Sequence, residues 1–301
     1  MSEQRRGLVM GVVAYAIWGL FPLYWPLLKP SSAEEILAHR IVWSLVVCLV
    51  LLAMVRGGAR IRALFREPRR ALALVAAAVL IAVNWYVYIW AVNHGHVVES
   101  SLGYFMNPLV AVLLGTVVLG ERLRPVQWGA VGVSLLAVLV LTLDHGRPPW
   151  IALVLACTFG TYGLLKKLAG MPAVEGLTVE TLVLVLPAAG YLVWLQADGR
   201  ATFGSAGVVH VLLLASTGVI TAIPLLSFAG AANRLPLTTV GLLQYLTPVL
   251  QFICGITVFH ETMPAARWAG FALVWVALTV FTVDAVRNHR RSLQVAVDAL
   301  T

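Results

Sequence analysis

Charge is what this 301-residue chain has little of: 11% of its residues are Asp, Glu, Lys or Arg, while 60% are hydrophobic. A soluble domain carries about 25% charged residues. Water cannot solvate such a surface, so the solvent must be lipid. Cysteine is scarce too. Cys48, Cys157 and Cys254 each lie inside an apolar segment. They are too scattered for a disulfide framework or a metal site and read as small buried hydrophobes. Catalytic motifs are missing. His260-Glu261 opens like a zinc-protease helix, but Pro264 stands where the second histidine must lie. There is no G-x-S-x-G elbow, no intramembrane aspartate pair and no phosphate-binding loop, and Asp144, Asp198 and Asp284 fall at loops or span ends. An enzyme is therefore not expected, nor a cofactor. The formal charge of +8 would suit nucleic acid, but the basic residues lie between apolar stretches and form no recognition module. Lipid headgroups and membrane orientation account for them better.

What the chain does have is long apolar runs. A span needs roughly 20 apolar residues. Ten candidates lie near 7–28, 36–55, 71–93, 97–119, 126–143, 150–168, 176–196, 207–230, 238–259 and 266–286. A β-barrel would show short alternating segments instead. The first run begins at Gly7 and is long enough to span and stay, so no cleavable signal peptide is expected. The connections are mostly short and hold no inserted soluble domain.

Lysine and arginine set the orientation. With the N-terminus in the cytoplasm, the inside segments hold Arg5, Arg6, Arg56, Arg60, Arg62, Arg66, Arg69, Arg70, Arg122, Arg124, Lys166, Lys167, Arg234, Arg287, Arg290 and Arg291. The outside segments hold only Lys29, Arg147, Arg200 and Arg267. Both termini are thus expected inside. Trp25, Trp90, Trp150, Trp194 and Trp268 then fall near the outer interface and Trp128 near the inner one, as an aromatic belt.

Part of the chain is written twice. A shift of 140 positions places Ala91, Asn93, Leu102, Pro108, Gly115, Val118, Glu121 and Trp128 on Ala231, Asn233, Leu242, Pro248, Gly255, Val258, Glu261 and Trp268. Five spans per copy is an odd number, so the second copy enters from the opposite side. The expected fold is an all-α membrane protein: ten transmembrane helices in two inverted five-helix repeats, 1–145 and 146–291, with a cytoplasmic tail at 292–301. Inverted repeats can form two gates around one midplane site, the basis of alternating access.

Several stretches resemble a known family. They are Glu35-Ile36-Leu37-Ala38-His39-Arg40-Ile41-Val42-Trp43-Ser44, Asn84-Trp85, Ile89-Trp90-Ala91-Val92-Asn93, Ser101-Leu102-Gly103-Tyr104-Phe105-Met106-Asn107-Pro108-Leu109, Gly120-Glu121-Arg122, and Gln244-Tyr245 with Pro248. They are similar to the RarD proteins, of the EamA branch of the drug/metabolite transporter superfamily, and the resemblance runs from about residue 7 to 291. It implies a ten-helix permease of the bacterial cytoplasmic membrane, with export favoured over uptake. The family's usual label, chloramphenicol-sensitive protein, describes a phenotype and names no substrate. The family commonly has a lysine after the aromatic residue that ends the first helix. Here Trp25 is followed by Pro26, with Lys29 further on.

Polar residues within the spans are the site candidates, since a charge at a helix centre costs about 2.5–3.5 kcal/mol on insertion scales. Arg40 lies about four residues into its span and needs a counter-ion or a wet cavity. Glu180 is its equivalent under the repeat, but inversion places it near the inner face. Glu99 lies at a similar depth and is the expected partner, giving an Arg40–Glu99 ion pair. His39 and Glu180 are candidates for proton coupling or gating. Asn84, Trp85, Tyr88, Tyr104, Asn107, Tyr162, Gln244 and Tyr245 join Arg40 and Glu99 as candidate substrate contacts. Thr221 with Pro224 either lines the cavity or bends its helix. Pro108 and Pro248 are related by the repeat and are expected to interrupt their helices symmetrically. The same polar residues could instead be interhelical glue. Gly11, Gly19, Gly103, Gly129 and Gly132 are candidate close-contact points between helices. The expected partners are a small organic solute, the bilayer and, as coupling ion, the proton. A secondary carrier is the leading reading; a channel or a non-transporting receptor or scaffold is the alternative.

Overall fold

The computed structural model describes residues 2–64, 66–120, 123–235 and 237–298. Among them the chain is all helix and loop. The helices are α1 (Glu3–Tyr24), α2 (Ala33–Met54), α3 (Gly58–Leu64), α4 (Pro68–Asn93), α5 (Val97–Leu119), α6 (Pro125–His145), α7 (Trp150–Ala169), α8 (Ala173–Ala197), α9 (Val208–Ala232), α10 (Leu237–Leu243), α11 (Leu246–Thr257) and α12 (Ala265–Asp298), with a 3-10 turn at Trp25–Leu28 after α1. Among the described residues, ten segments are long and apolar enough to cross a membrane, and they match the ten expected spans. The short α3 lies in the arginine-rich connection that the sequence reads as loop. The Glu121 corner falls outside the described residues.

Local chemistry explains where the helices start and stop. Ser2 and Ser32 accept from the backbone N–H of Arg5 and Glu35, each at 3.3 Å. Glu34 and Glu35 follow in the first turn of α2, where the helix dipole favours negative charge. Pro68 and Pro125 open α4 and α6, where a missing N–H costs nothing. Gly120 (φ 68°) and Gly170 (φ 60°) end α5 and α7 in the left-handed conformation that glycine adopts without penalty. Helix starts also recur at the repeat spacing. Ala33 and Ala173, Pro68 and Val208, Val97 and Leu237, and Pro125 and Ala265 are each 140 apart.

The two repeat-related prolines behave differently. Pro108 lies inside α5, which continues through it, whereas the ninth crossing is broken into α10 and α11 ahead of Pro248. The symmetric interruption expected from sequence is therefore present in one half only. Pro248 has no N–H to offer the Gln244 carbonyl, and Thr247 N–H takes it at 3.3 Å in a tighter turn. Thr247 Oγ1 then donates to the Tyr15 carbonyl at 2.8 Å, fastening the break to α1. α5 packs on α7 and α11 as α11 packs on α1 and α5, so nothing in the packing explains why only one crossing breaks.

Packing follows a simple scheme. α1 packs on α9 and α11, and α7 on α4 and α5. α2 meets α9, and α8 meets α4. Three further contacts join α2 to α8, α5 to α11 and α6 to α12. Backbones touch where glycine removes the side chain. A Cβ on Gly103 would lie 2.8 Å from the Ala152 carbonyl oxygen. One on Gly218 would collide with the Trp43 backbone, so α9 lies directly on α2. Gly11 and Gly19 are close-contact points as expected, but Gly129 and Gly132 face open space. Side chains such as Leu186 and Val117 are more than three-quarters exposed, as a lipid-facing surface requires. Two other expectations fail. Cys157 is exposed rather than buried. Trp25 is fully buried, not part of the interfacial belt, because it packs between Phe21, Tyr24 and Arg40.

Candidate functional site

The bundle has two polar ends and one polar centre. The near end carries the described connections around 55–64, 66–67, 123–124 and 170–172. The far end carries those around 29–32, 94–96, 146–149, 198–207 and 258–264.

Arg40 defines the centre. α2 begins three residues before its expected span, so Arg40 lies about 10 Å along the helix rather than about 6 Å. Its residue exposure is 3%. The guanidinium carbon lies 3.9 Å from the Trp85 ring centroid, 5.2 Å from Trp25 and 5.6 Å from Phe21. Nε donates to Thr221 Oγ1 at 3.0 Å. Nη1 is buried and has no hydrogen-bond partner among the described residues. The expected ion pair with Glu99 is not formed. Glu99 instead accepts from the backbone N–H of Ile151 at 3.1 Å, at the start of α7, whose unpaired amides and dipole favour a carboxylate. Magnitudes matter here. A desolvated cation–π contact contributes about 2 kcal/mol, whereas burying an ion costs several kcal/mol. The rings and one hydroxyl leave this cation only partly compensated.

Around Arg40 runs a network that joins helices of both halves. Asn84 Nδ2 donates to the Leu155 carbonyl (3.1 Å) and to Thr158 Oγ1 (2.9 Å), both on α7. Tyr104 O–H donates to Asn84 Oδ1 at 3.2 Å. The Tyr88 and Tyr104 rings meet edge to face at 5.5 Å. Gln251 Nε2, on α11, donates to Tyr88 Oη at 2.9 Å and to the Trp18 carbonyl at 3.3 Å. The side-chain oxygens of Gln251 and Asn107 are buried without partners among the described residues. A small solute offering an acceptor to Arg40 and donors to these amides would complete the set.

The far end is closed by carboxylates on backbone amides. Glu35 Oε1 accepts from Thr202 N–H (2.7 Å) and Phe203 N–H (3.3 Å), which pins the 198–207 connection over α2. Ser31 Oγ contacts Thr202 Oγ1 and His210 Nε2 in the same place. Glu261 takes the N–H groups of Val97 and Val98, the first turn of α5. Burial pushes its carboxyl up to about 7, against the downward pull of those amides and of Arg267. The near end uses ion pairs instead: Arg60–Glu175 at 2.6 Å, Lys166–Glu180 at 2.6 Å, Arg124–Asp284 at 2.7 Å and Arg234–Glu3 at 2.8 Å. The difference follows from sequence, since most of the lysine and arginine lies in the near-end connections.

The sequence candidates thus fall into separate places. Arg40, Asn84, Trp85, Tyr88 and Tyr104 converge at the centre, and buried Asn107 lies one turn beyond Tyr104 on α5. Tyr162 and Glu180 belong to the near end, where the Tyr162 O–H donates to Glu180 at 3.2 Å. Glu99 is at the far end. His39 turns away from Arg40 and stacks on Phe203 at 4.6 Å. Gln244 and Tyr245 form the break in the ninth crossing, and Tyr245 Oη contacts Thr282 Oγ1 at 3.3 Å. Gln251 and Thr158 were missed. Each is a polar residue within an apolar span, which is the signal that would have found them.

The EamA-like transporter family matches residues 5–143. The protein RarD of Streptomyces exfoliatus is 60% identical over 292 residues, covering 97% of this chain and 92% of its own. A protein of Pseudomonas aeruginosa, named as an uncharacterized transporter, is 46% identical over 295 residues, covering 96% of this chain and 97% of its own. A solved crystal structure whose protein bears no descriptive name superposes with a TM-score of 0.60 at 18% identity, covering 93% of this chain and 98% of that one. At that identity it speaks for the fold alone. On the strength of relatives this similar along nearly its whole length, the chain belongs to the RarD-type permeases of the EamA-like transporter family, multi-pass transporters of the bacterial inner membrane.

Proposed function

We propose that this transporter is a secondary carrier of small organic solutes, with residues 1–145 and 146–291 as inverted repeats, residues 292–301 as a tail, and both termini in the cytoplasm. The packing scheme supports the duplication. Exchange of the halves turns the α1–α9 contact into α7–α4, α1–α11 into α7–α5 and α2–α9 into α8–α4, and it leaves α2–α8, α5–α11 and α6–α12 as self-related contacts. The lysine and arginine bias supports the orientation. The near end is then the cytoplasmic gate, the far end the outer gate, and the Arg40 cluster the site between them. The observation that carries the reading is that this cluster is buried and incompletely satisfied where helices of both halves meet. Export is the proposed direction, from the family. His39 is the proposed proton-coupling group, and Glu180 a proposed coupling or gating residue.

Purified protein in liposomes provides the test, with labelled amino acids, amphenicols and other small metabolites as solutes. Saturable counterflow supports a carrier. Conductance without saturation would make the protein a channel, and the absence of any flux would leave a receptor or scaffold. Transport rates that stay flat between about pH 5.5 and 8 would remove proton coupling through His39.

A further inference from the structure

We infer that the solute is a small organic monocarboxylate whose carboxylate docks on Arg40. The inference rests on the carrier reading and narrows its substrate class. Three observations lead to it. First, Arg40 is 3% exposed, and among the described residues no carboxylate bonds to it. Second, its Nη1 is buried with no hydrogen-bond partner among the described residues, while Nε is held by Thr221, so one guanidinium nitrogen is free at a fixed orientation. Third, the groups around it are aromatic and uncharged: Trp85 at 3.9 Å, Trp25 at 5.2 Å and Phe21 at 5.6 Å. Protein groups that merely stabilised a structural arginine would be expected to occupy both edges. An arginine stays protonated, and no carboxylate among the described residues bonds to it, so its counter-charge is left for the solute to supply.

The chemistry limits what that anion is. One guanidinium matches one carboxylate in charge and in planar geometry. A phosphate dianion would bring a second negative charge that no described cation in this cluster meets. The aromatic walls accept an apolar body on the carboxylate. A neutral solute would bring the buried cation no counter-charge.

The test uses the full-length protein in nanodiscs, with benzoate and phenylacetate as probes and benzamide and phenylacetamide as neutral counterparts of the same shape. Binding is read by titration calorimetry and by thermal stabilisation, with empty nanodiscs as the partition control. The two acids are expected to bind, with the two amides weaker by about tenfold to a hundredfold, the worth of a hydrogen bond to a charged group. Arg40→Gln should remove the preference, and Arg40→Lys should keep part of it. Equal binding of acid and amide overturns the inference, as does failure of both acids to bind wild-type protein. A preference that survives in monodisperse Arg40→Gln protein also overturns it. The wild-type comparison decides the matter even if Arg40→Gln does not fold. Counterflow of neutral solutes alone, in the same preparation, would overturn the monocarboxylate and leave the carrier standing.

Discussion

The Lys166–Glu180 pair is where loss of one partner should hurt most. Glu180 has a side chain only 1% exposed, and it is the eighth residue of α8, about 10 Å from the helix start. Lys166 Nζ lies 2.6 Å from one carboxylate oxygen, and the Tyr162 O–H lies 3.2 Å from the other. The lysine is less enclosed, with a side-chain exposure of 20%. Lys166→Met strands a buried carboxylate on a single hydroxyl, a change that costs about 3–5 kcal/mol. Glu180→Gln keeps an acceptor for Tyr162 and leaves a lysine that can turn toward water, so about 1–2 kcal/mol is expected. The double variant removes both charges and should be more stable than Lys166→Met alone, a coupling of about 2 kcal/mol. Gly176→Ala gives a check that deletes no charge, because the added Cβ would displace the Lys166 ammonium. Thermal unfolding in detergent is the assay. The expected order is wild type, then Glu180→Gln, then the double variant, then Lys166→Met. Equal losses from the two single changes that simply add in the double would refute the reasoning.

Glu261 makes a pH prediction. Its carboxyl is raised from 4.5 to about 7 by burial, so the neutral form is the better tolerated one. The stability it contributes is fully present below about 4.5 and is lost as pH rises through about 7. Intrinsic-rate-corrected hydrogen exchange at Val97 and Val98 should therefore be slower at about pH 5 than at about pH 8, and Glu261→Gln should flatten the dependence; the opposite trend would contradict it. Gly218→Ala would force α9 off the Trp43 backbone, at a cost of about 1–3 kcal/mol, and shift Thr221 away from Arg40. Melting temperature and counterflow should both fall. Thr221→Val leaves Arg40 Nε without its acceptor and should cost about 1.5–3 kcal/mol of stability; an unchanged melting temperature would show that the hydroxyl is dispensable.

The fold was readable because lipid imposes a coarse code. Twenty apolar residues must be helix, and ten such runs could be counted without any neighbour in view. The break at Gln244-Tyr245 was readable from Pro248, yet the same reasoning failed at Pro108. A missing backbone bond does not by itself decide a helix's course: α5 runs on through Pro108 in packing equivalent to that of the broken crossing. Arg40 was legible as an intramembrane cation, but its partners were not. Matching depth pointed to Glu99 without giving direction, and Glu99 faces the open amides of α7. Aromatic rings took the cation instead, and Trp25, which looked interfacial, is one of them. Lys166 entered the sequence reading only as an inside positive charge, yet its Nζ reaches Glu180 on α8. Helix starts and topology depend on composition and caps close in sequence. Partners of buried polar groups depend on rotation about each helix axis, which short, uniformly apolar spans do not encode.

Alternating access requires the two halves to open in turn around the Arg40 cluster. Spin-label distances at both ends test it most directly. One label pair joins His94 to Asp198 at the far end, and the other joins Arg66 to Lys167 at the near end, in protein whose Cys48, Cys157 and Cys254 are replaced. On adding a solute that supports counterflow, one distance should lengthen while the other shortens. Both ends widening together, or neither moving, would contradict it.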